Sequence, residues 1–299
     1  MIRNKKTLSG KLLESDFYPV FEDGRRVPDR APKQKRSTVE QEKYNQKQAE
    51  KKFIRLVNAN FDEGDVIQHL TYCPENAPAS LEEARKHIVN YLRRMKRLRA
   101  SELKKVTEAL EALPDSEALR EQRAELEARK KKLEQPFKYI YVIEKVTYKR
   151  GKYAGRDNWH FHLFMTGGIP RRKLEEMWPH GLRVNADSFQ PKRFGPEAAA
   201  RYMSKDPQGS KRFCCSRNLD KPKTSKPQDG KITPRGLARL AQQRVDDAAY
   251  WERKYKGYSF LRCYARYNEY NGYWYVSVVM YKKDGGEPPR WGYDDWIDE

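Results

Sequence analysis

The sequence predicts an α+β fold: an antiparallel β-sheet with helices on one face and a helical hairpin inserted into it. Short runs rich in aromatic and β-branched residues, Tyr139 to Val146 and Trp159 to Thr166 above all, alternate with stretches whose apolar residues recur at helical spacing. From residue 66 the order is strand, helix, strand, strand, helix, with a further strand near Phe213, the pattern of a sheet covered by helices. A length of 299 residues favours one large domain with appendages over two or three independent folds.

Residues 1–36 mix Lys, Arg, Pro and Gly with few apolar side chains, so a mobile basic arm able to grip phosphates is expected there. The domain itself is expected over 37–220. Ser37 and Glu40 form a capping-box pair that opens a helix over about 38–57, and Phe53, Leu56 and Val57 make a short apolar stripe near its end. A strand over 66–72 is stopped by Pro74. Ser80 and Glu83 form a second capping box, after which Leu81, Ala84, Ile88, Leu92, Met95 and Leu98 recur at helical spacing. Pro114 and Asp115 break this helix. Leu119, Leu126 and Leu133 then step in sevens among charges, which predicts a solvated intramolecular hairpin over about 80–135, projecting from the domain.

The polar, Gly-containing stretch Arg150 to Asp157 joins two strands, 139–146 and 159–166, into a hairpin. A short helix over 171–178, a strand over 182–185 and a helix over 196–205 follow. Residues 221–234 have a linker's composition. A helix over 234–255 and two aromatic strands, 259–267 and 273–282, fill a region placed at 235–284, and residues 285–299 form an acidic tail.

Lys and Arg number 62 against 42 Asp and Glu, a net charge of +20, and aromatic residues make up 12% of the chain. Cations take phosphates and aromatic faces stack on bases, so this pairing suits a nucleic-acid binder. No apolar run approaches the roughly 20 residues of a membrane span, and the basic start leads into no apolar signal core, so a cytoplasmic protein is expected. Cys73, Cys214, Cys215 and Cys263 form no CxxC pair and are expected to be reduced bystanders. The absence of GxxxxGK[ST] excludes a recognisable nucleotide motor.

The sharpest chemical feature is Trp159-His160-Phe161-His162-Leu163-Phe164. Alternation on a strand sends His160 and His162 to one face, where two imidazoles can share a divalent metal. On the partner strand Glu144 interrupts an apolar run, and a carboxylate beside two histidines completes a three-ligand site with open positions. His69, on the strand over 66–72, is the competing third ligand, set against a core or sheet-surface role. His87 and His180 are expected on the surface or in loops. In Arg201-Tyr202-Met203-Ser204-Lys205, Tyr202 and Lys205 share a helix face, and a nearby cation or metal favours loss of a phenol proton whose ordinary pKa is about 10.

The order Leu70-Thr71-Tyr72, then His160 to His162, then Tyr202 to Lys205 resembles the three ordered motifs of the HUH endonuclease superfamily, and most of all the single-tyrosine rolling-circle replication initiators of bacterial phages and mobile elements. Asn58-Ala59-Asn60-Phe61, Gly64-Asp65, Cys215-Ser216-Arg217-Asn218-Leu219 and Lys221-Pro222 are also similar, and the likeness spans about 41–222. The resemblance implies an HUH/RRM-like, ferredoxin-like core. It implies Mg²⁺ or Mn²⁺ held by His160, His162 and Glu144, in-line attack by Tyr202 assisted by Lys205, and a 5′-phosphotyrosine with a free 3′-OH. The implied substrate is a single-stranded or melted origin, with a hairpin, and a host helicase and DNA polymerase are implied partners. Ala198 stands four residues before Tyr202, so the pattern is single-tyrosine. A transposase or relaxase would use the same chemistry. A non-catalytic RNA- or single-stranded-DNA-binding module, stacking bases on Tyr139, Tyr141 and Trp159, is the alternative of another class.

Overall fold

The computed structural model describes residues 1–21, 39–181, 184–190 and 212–285. In chain order the elements are β1 (Ile2–Ser9), β2 (Leu12–Pro19), α1 (Val39–Asn60), β3 (Val66–Thr71), α2 (Leu81–Ala112), α3 (Arg120–Glu134), β4 (Tyr139–Thr147) and β5 (Asp157–Met165). They continue with α4 (Arg171–Glu176), β6 (Val184–Ser188), β7 (Cys214–Cys215), β8 (Lys223–Thr224), β9 (Gln228–Asp229), α5 (Pro234–Gln243), α6 (Ala248–Lys254), β10 (Tyr258–Asn268) and β11 (Tyr273–Lys282). The fold is α+β, with antiparallel pairing throughout both sheets. It divides into two compact units, residues 1–59 with 220–299, and residues 60–219. Among the described residues no helix is long and apolar enough to cross a membrane.

The first unit overturns the expected basic arm. Residues 2–19 form a β-hairpin whose second strand pairs with β11, giving the order β10-β11-β2-β1-β8, with β9 also on β1. The physical reason lies in the alternation: Leu13 and Phe17 point into a core with Leu237, Leu240, Trp251, Val276 and Met280, the buried Ser15 between them accepts from the Tyr255 hydroxyl at 2.7 Å, and Glu14 and Asp16 face away. Lysines on a half-exposed strand dilute the apolar composition without disturbing its period. The turn needs Gly10, which takes φ +59°, and a Cβ there would sit 2.0 Å from the Asn58 carbonyl oxygen.

The presumed linker also enters this sheet, since β8 and β9 both pair with β1 and Arg3 forms a two-pronged ion pair with Asp229 at 2.7 Å. The helix expected over 234–255 is two, α5 and α6, interrupted where Asp247 caps the Tyr250 amide. On the opposite face of β2, Arg55 of α1 pairs with Glu14 and Asp16, and Lys51 lies 3.3 Å from Asp16. Helices therefore flank both faces of this sheet.

The second unit carries a sheet in the order β6-β3-β5-β4-β7. One face of it, Leu70, Phe161, Leu163, Tyr141 and Ile143, packs with Ile88, Tyr91, Leu92 and Met95 of α2 in a single hydrophobic cluster. The N-terminus of α2 is capped as predicted, Ser80 Oγ accepting from the Glu83 amide at 3.2 Å while the Glu83 carboxylate takes the Ala79 amide at 2.8 Å. The α2–α3 hairpin is intramolecular but does not simply project. Buried residues run along α2 from Ala84 to Val106, Leu133 of α3 joins the same cluster, and only the tip beyond Val106 lacks a buried helical residue until Leu133.

Two buried charged groups fix this hairpin. Arg99 donates to the carbonyls of Thr166, Gly167, Lys132, Leu133 and Gln135. Glu102 pairs with Lys105, Arg129 and Lys173. Asp65 adds a third tie, accepting from the amides of Asp62 and Gly167 at 2.9 Å and from Lys132 at 3.0 Å.

Candidate active site

The central strand β5 is flanked by β3 on one side and β4 on the other, and register decides what its histidines meet. His160 stands opposite Glu144 of β4 and Thr71 of β3, and His162 stands opposite Val142 and His69. Since Phe161 and Leu163 lie in the core beneath α2, alternation sends His160 and His162 to the other face, with Glu144 and His69 beside them. The hairpin loop that left this register open in the sequence is closed by the backbone bonds Tyr148 N to Arg156 O and Gly155 N to Tyr148 O, at 2.9 and 2.8 Å.

His162 is buried, and its Nε2 lies 2.9 Å from Glu144 Oε2; its ring meets that of His69 edge-on at 4.7 Å between centroids. Burial holds the His160 imidazolium below the ordinary histidine range, and the neighbouring His162 adds to the effect while Glu144 opposes it. His69 keeps more open surface, yet desolvation by its neighbours lowers its pKa too, with His162 contributing and Asp187 of β6 opposing. Both rings therefore carry a free lone pair at neutral pH. Asn185 and Asp187 were not anticipated beside His69. Residues 182 and 183 of the strand expected over 182–185 lie outside the described residues, and the described strand extends to Ser188, placing Asn185 opposite His69 and Asp187 opposite Ile67 on the same face.

The donor set fits a divalent cation in kind, two or three neutral imidazoles and a carboxylate on one sheet face. Among the described residues, however, no three His, Cys, Asp or Glu side chains converge as a metal-holding group; Glu144 and His162 meet as a pair. Tyr202 and Lys205 lie outside the described residues, as do the helix expected over 196–205 and the Ser37 cap.

The opposite face excludes one use. Tyr141 and Trp159 are buried in the core cluster with α2, so neither ring offers a face to a base, while Tyr139 is half-buried against the same cluster. His87 and His180, expected as unremarkable surface residues, stack on each other at 4.1 Å, and Tyr72 hydroxyl meets His87 Nδ1 at 3.1 Å. The segment after residue 214 is tied to β4: the Ser216 amide donates to Tyr139 carbonyl at 2.9 Å, and Asn218 donates to Phe137 carbonyl at 3.2 Å. All four cysteines are free thiols, in line with the sequence.

Comparison of the chain with protein-family models, with curated proteins and with solved structures returns no match.

Proposed function

We propose that this protein is an HUH-type nicking and joining enzyme for single-stranded or melted DNA, of the kind that initiates rolling-circle replication. The observation that supports this best is the gathering of His160, His162, Glu144 and His69 on one face of the sheet from three adjacent strands. A solvated pair of histidines would need neither the carboxylate opposite nor the lowered proton affinity of His160. His160, His162 and Glu144 would hold a Mg²⁺ or Mn²⁺ ion, whose contribution when bound is Lewis-acid neutralisation of phosphate charge.

The remaining chemistry belongs to the chain. The Tyr202 phenol gives up its proton and its oxygen bonds to phosphorus while the bond from phosphorus to O3′ breaks. The departing O3′ takes up a proton, leaving a free 3′-OH and a 5′-phosphotyrosine that a later 3′-OH can reverse. Lys205 would lower the cost of the phenolate and of charge developing at phosphorus.

The test is a denaturing gel of the full chain incubated with a labelled hairpin oligonucleotide and Mg²⁺. A covalent adduct is expected, absent in excess chelator and reduced by several orders of magnitude in Tyr202→Phe, which keeps the ring and removes only the nucleophilic oxygen. Tyr72→Phe is the control, because burial holds the Tyr72 phenol well above its ordinary range and its hydroxyl is engaged by His87. An adduct that persists in chelator, or that maps to another tyrosine, overturns the proposal.

A further inference from the structure

The first unit presents a second face on which aromatic and cationic side chains alternate. Register places Arg262, Tyr264 and Arg266 of β10 on one side of the sheet, opposite Val279, Ser277 and Tyr275 of β11. On the same side Ser277 stands opposite Asp16 of β2, and β1 continues it with Lys5 opposite Asp16 and Arg3 opposite Tyr18. One end is covered: Leu12, Val279 and Tyr281 are buried there, and Asp16 is held by Lys51 and Arg55 of α1. The other end is open. Tyr264 is 45% exposed, Arg266 is exposed, and Tyr18, Tyr275 and Lys5 are half-buried.

The reverse side of the same strands, Phe17, Val276, Val278 and Cys263, is core. Packing therefore accounts for that face and for the covered end of the other, but not for the open end. Of the cations, Arg3 is paired with Asp229 and Arg262 lies against the Tyr264 ring, which leaves Lys5 and Arg266 for a polyanion. Ring orientation is also fixed, since Tyr275 hydroxyl accepts from Asn271 Nδ2 at 2.8 Å and the Arg262 guanidinium lies 5.7 Å from the centre of the Tyr264 ring.

We infer that this face is a binding platform for single-stranded DNA, Tyr264 and Tyr275 stacking on successive bases while Lys5 and Arg266 meet the backbone phosphates. Duplex DNA hides its base faces, so exposed rings favour an unpaired strand, and stacking accepts any base. The choice of DNA over RNA rests on the proposed nicking function; the stacking and phosphate contacts do not.

The test is fluorescence anisotropy of the full chain in chelator, where no nicking occurs, with three labelled probes of equal length: oligothymidylate, an abasic deoxyribose-phosphate strand and oligouridylate. Tyr264→Ala combined with Tyr275→Leu should weaken oligothymidylate binding about tenfold and leave the abasic strand nearly unaffected. Lys5→Gln with Arg266→Gln should weaken both DNA strands and make the salt slope shallower by about 0.7 per cation. Tyr270→Ala, at the β10–β11 turn and 99% exposed, is the control for a surface tyrosine outside the platform. If the tyrosine variant melts early, the charge variant carries the test through its salt slope. Wild-type binding and slope in both variants, or tighter binding of oligouridylate than of oligothymidylate, overturns the inference. Tyrosine-dependent binding without any covalent adduct upholds it while removing the nicking function.

Discussion

At the scale of the residue, the candidate site turns on which side chain stands third beside the two histidines. Glu144 is opposite His160 and within hydrogen-bond reach of His162, and it supplies the negative charge that a hard divalent cation favours; His69 meets the His162 ring edge-on. We expect Glu144→Gln to lower metal-dependent cleavage by about 100-fold, within the range of an essential electrostatic contact, and His69→Ala by about tenfold or less. The reverse ranking, measured by single-turnover cleavage across a Mg²⁺ titration, would make His69 the ligand. Much of this site could be read directly in the sequence, because a His-x-His on a strand has a fixed geometry. Asp187 and Asn185 could not, since their place beside His69 depends on where β6 begins and on its pairing with β3, which no local pattern encodes.

At the scale of the element, the α2–α3 hairpin is held by buried charge as much as by leucines. Arg99 spreads one guanidinium over carbonyls from the end of α3 and from the turn after β5. An ammonium cannot reproduce that fork. Arg99→Lys should therefore cost about 2–3 kcal/mol in urea unfolding, and Arg99→Leu more, as it leaves those carbonyls without their donor. The heptad spacing of Leu119, Leu126 and Leu133 announced the hairpin. It could not announce that α2 carries buried residues from Ala84 to Val106, because an amphipathic stripe does not say which surface receives it.

The His87–His180 stack sits at the foot of α2, and there burial, with His87 and Arg94 adding, lowers the His180 pKa. A depressed histidine pKa means that the unfolded chain binds the extra proton more readily. Its contribution to stability is thus complete above about pH 6.5 and declines as pH falls through that value toward the folded-state pKa. His180→Asn should flatten the loss of melting temperature between pH 7 and pH 5 relative to wild type. An unchanged slope would show that other groups carry it.

At the scale of the whole molecule, residues 1–19 shift from appendage to framework. Composition misled here because polar and charged residues outnumber apolar ones over 1–36 while the apolar residues of 2–19 keep the strand period, and only the pairing of β2 with β11 shows which matters. Removing residues 1–20 should abolish the cooperative unfolding transition of the first unit, since β1 and β2 lie between β11 and β8. A dispensable arm would instead leave that transition intact and change only the salt dependence of binding. Calorimetry of the full chain against the deletion separates the two outcomes.

The pairing of β2 with β11 also has a consequence in time. Ser277 hydroxyl bonds to Asp16 across 261 positions of sequence, so the ribosome completes one side of this sheet long before it supplies the other. At about 5–20 residues per second, β2 waits on the order of tens of seconds with its open edge and with Leu13 and Phe17 uncovered. Residues 60–219 emerge in the interval and contain every strand of their own sheet. The middle unit therefore has all its described strands before β10 and β11 are made, and the early hairpin is left as an unpaired edge during synthesis.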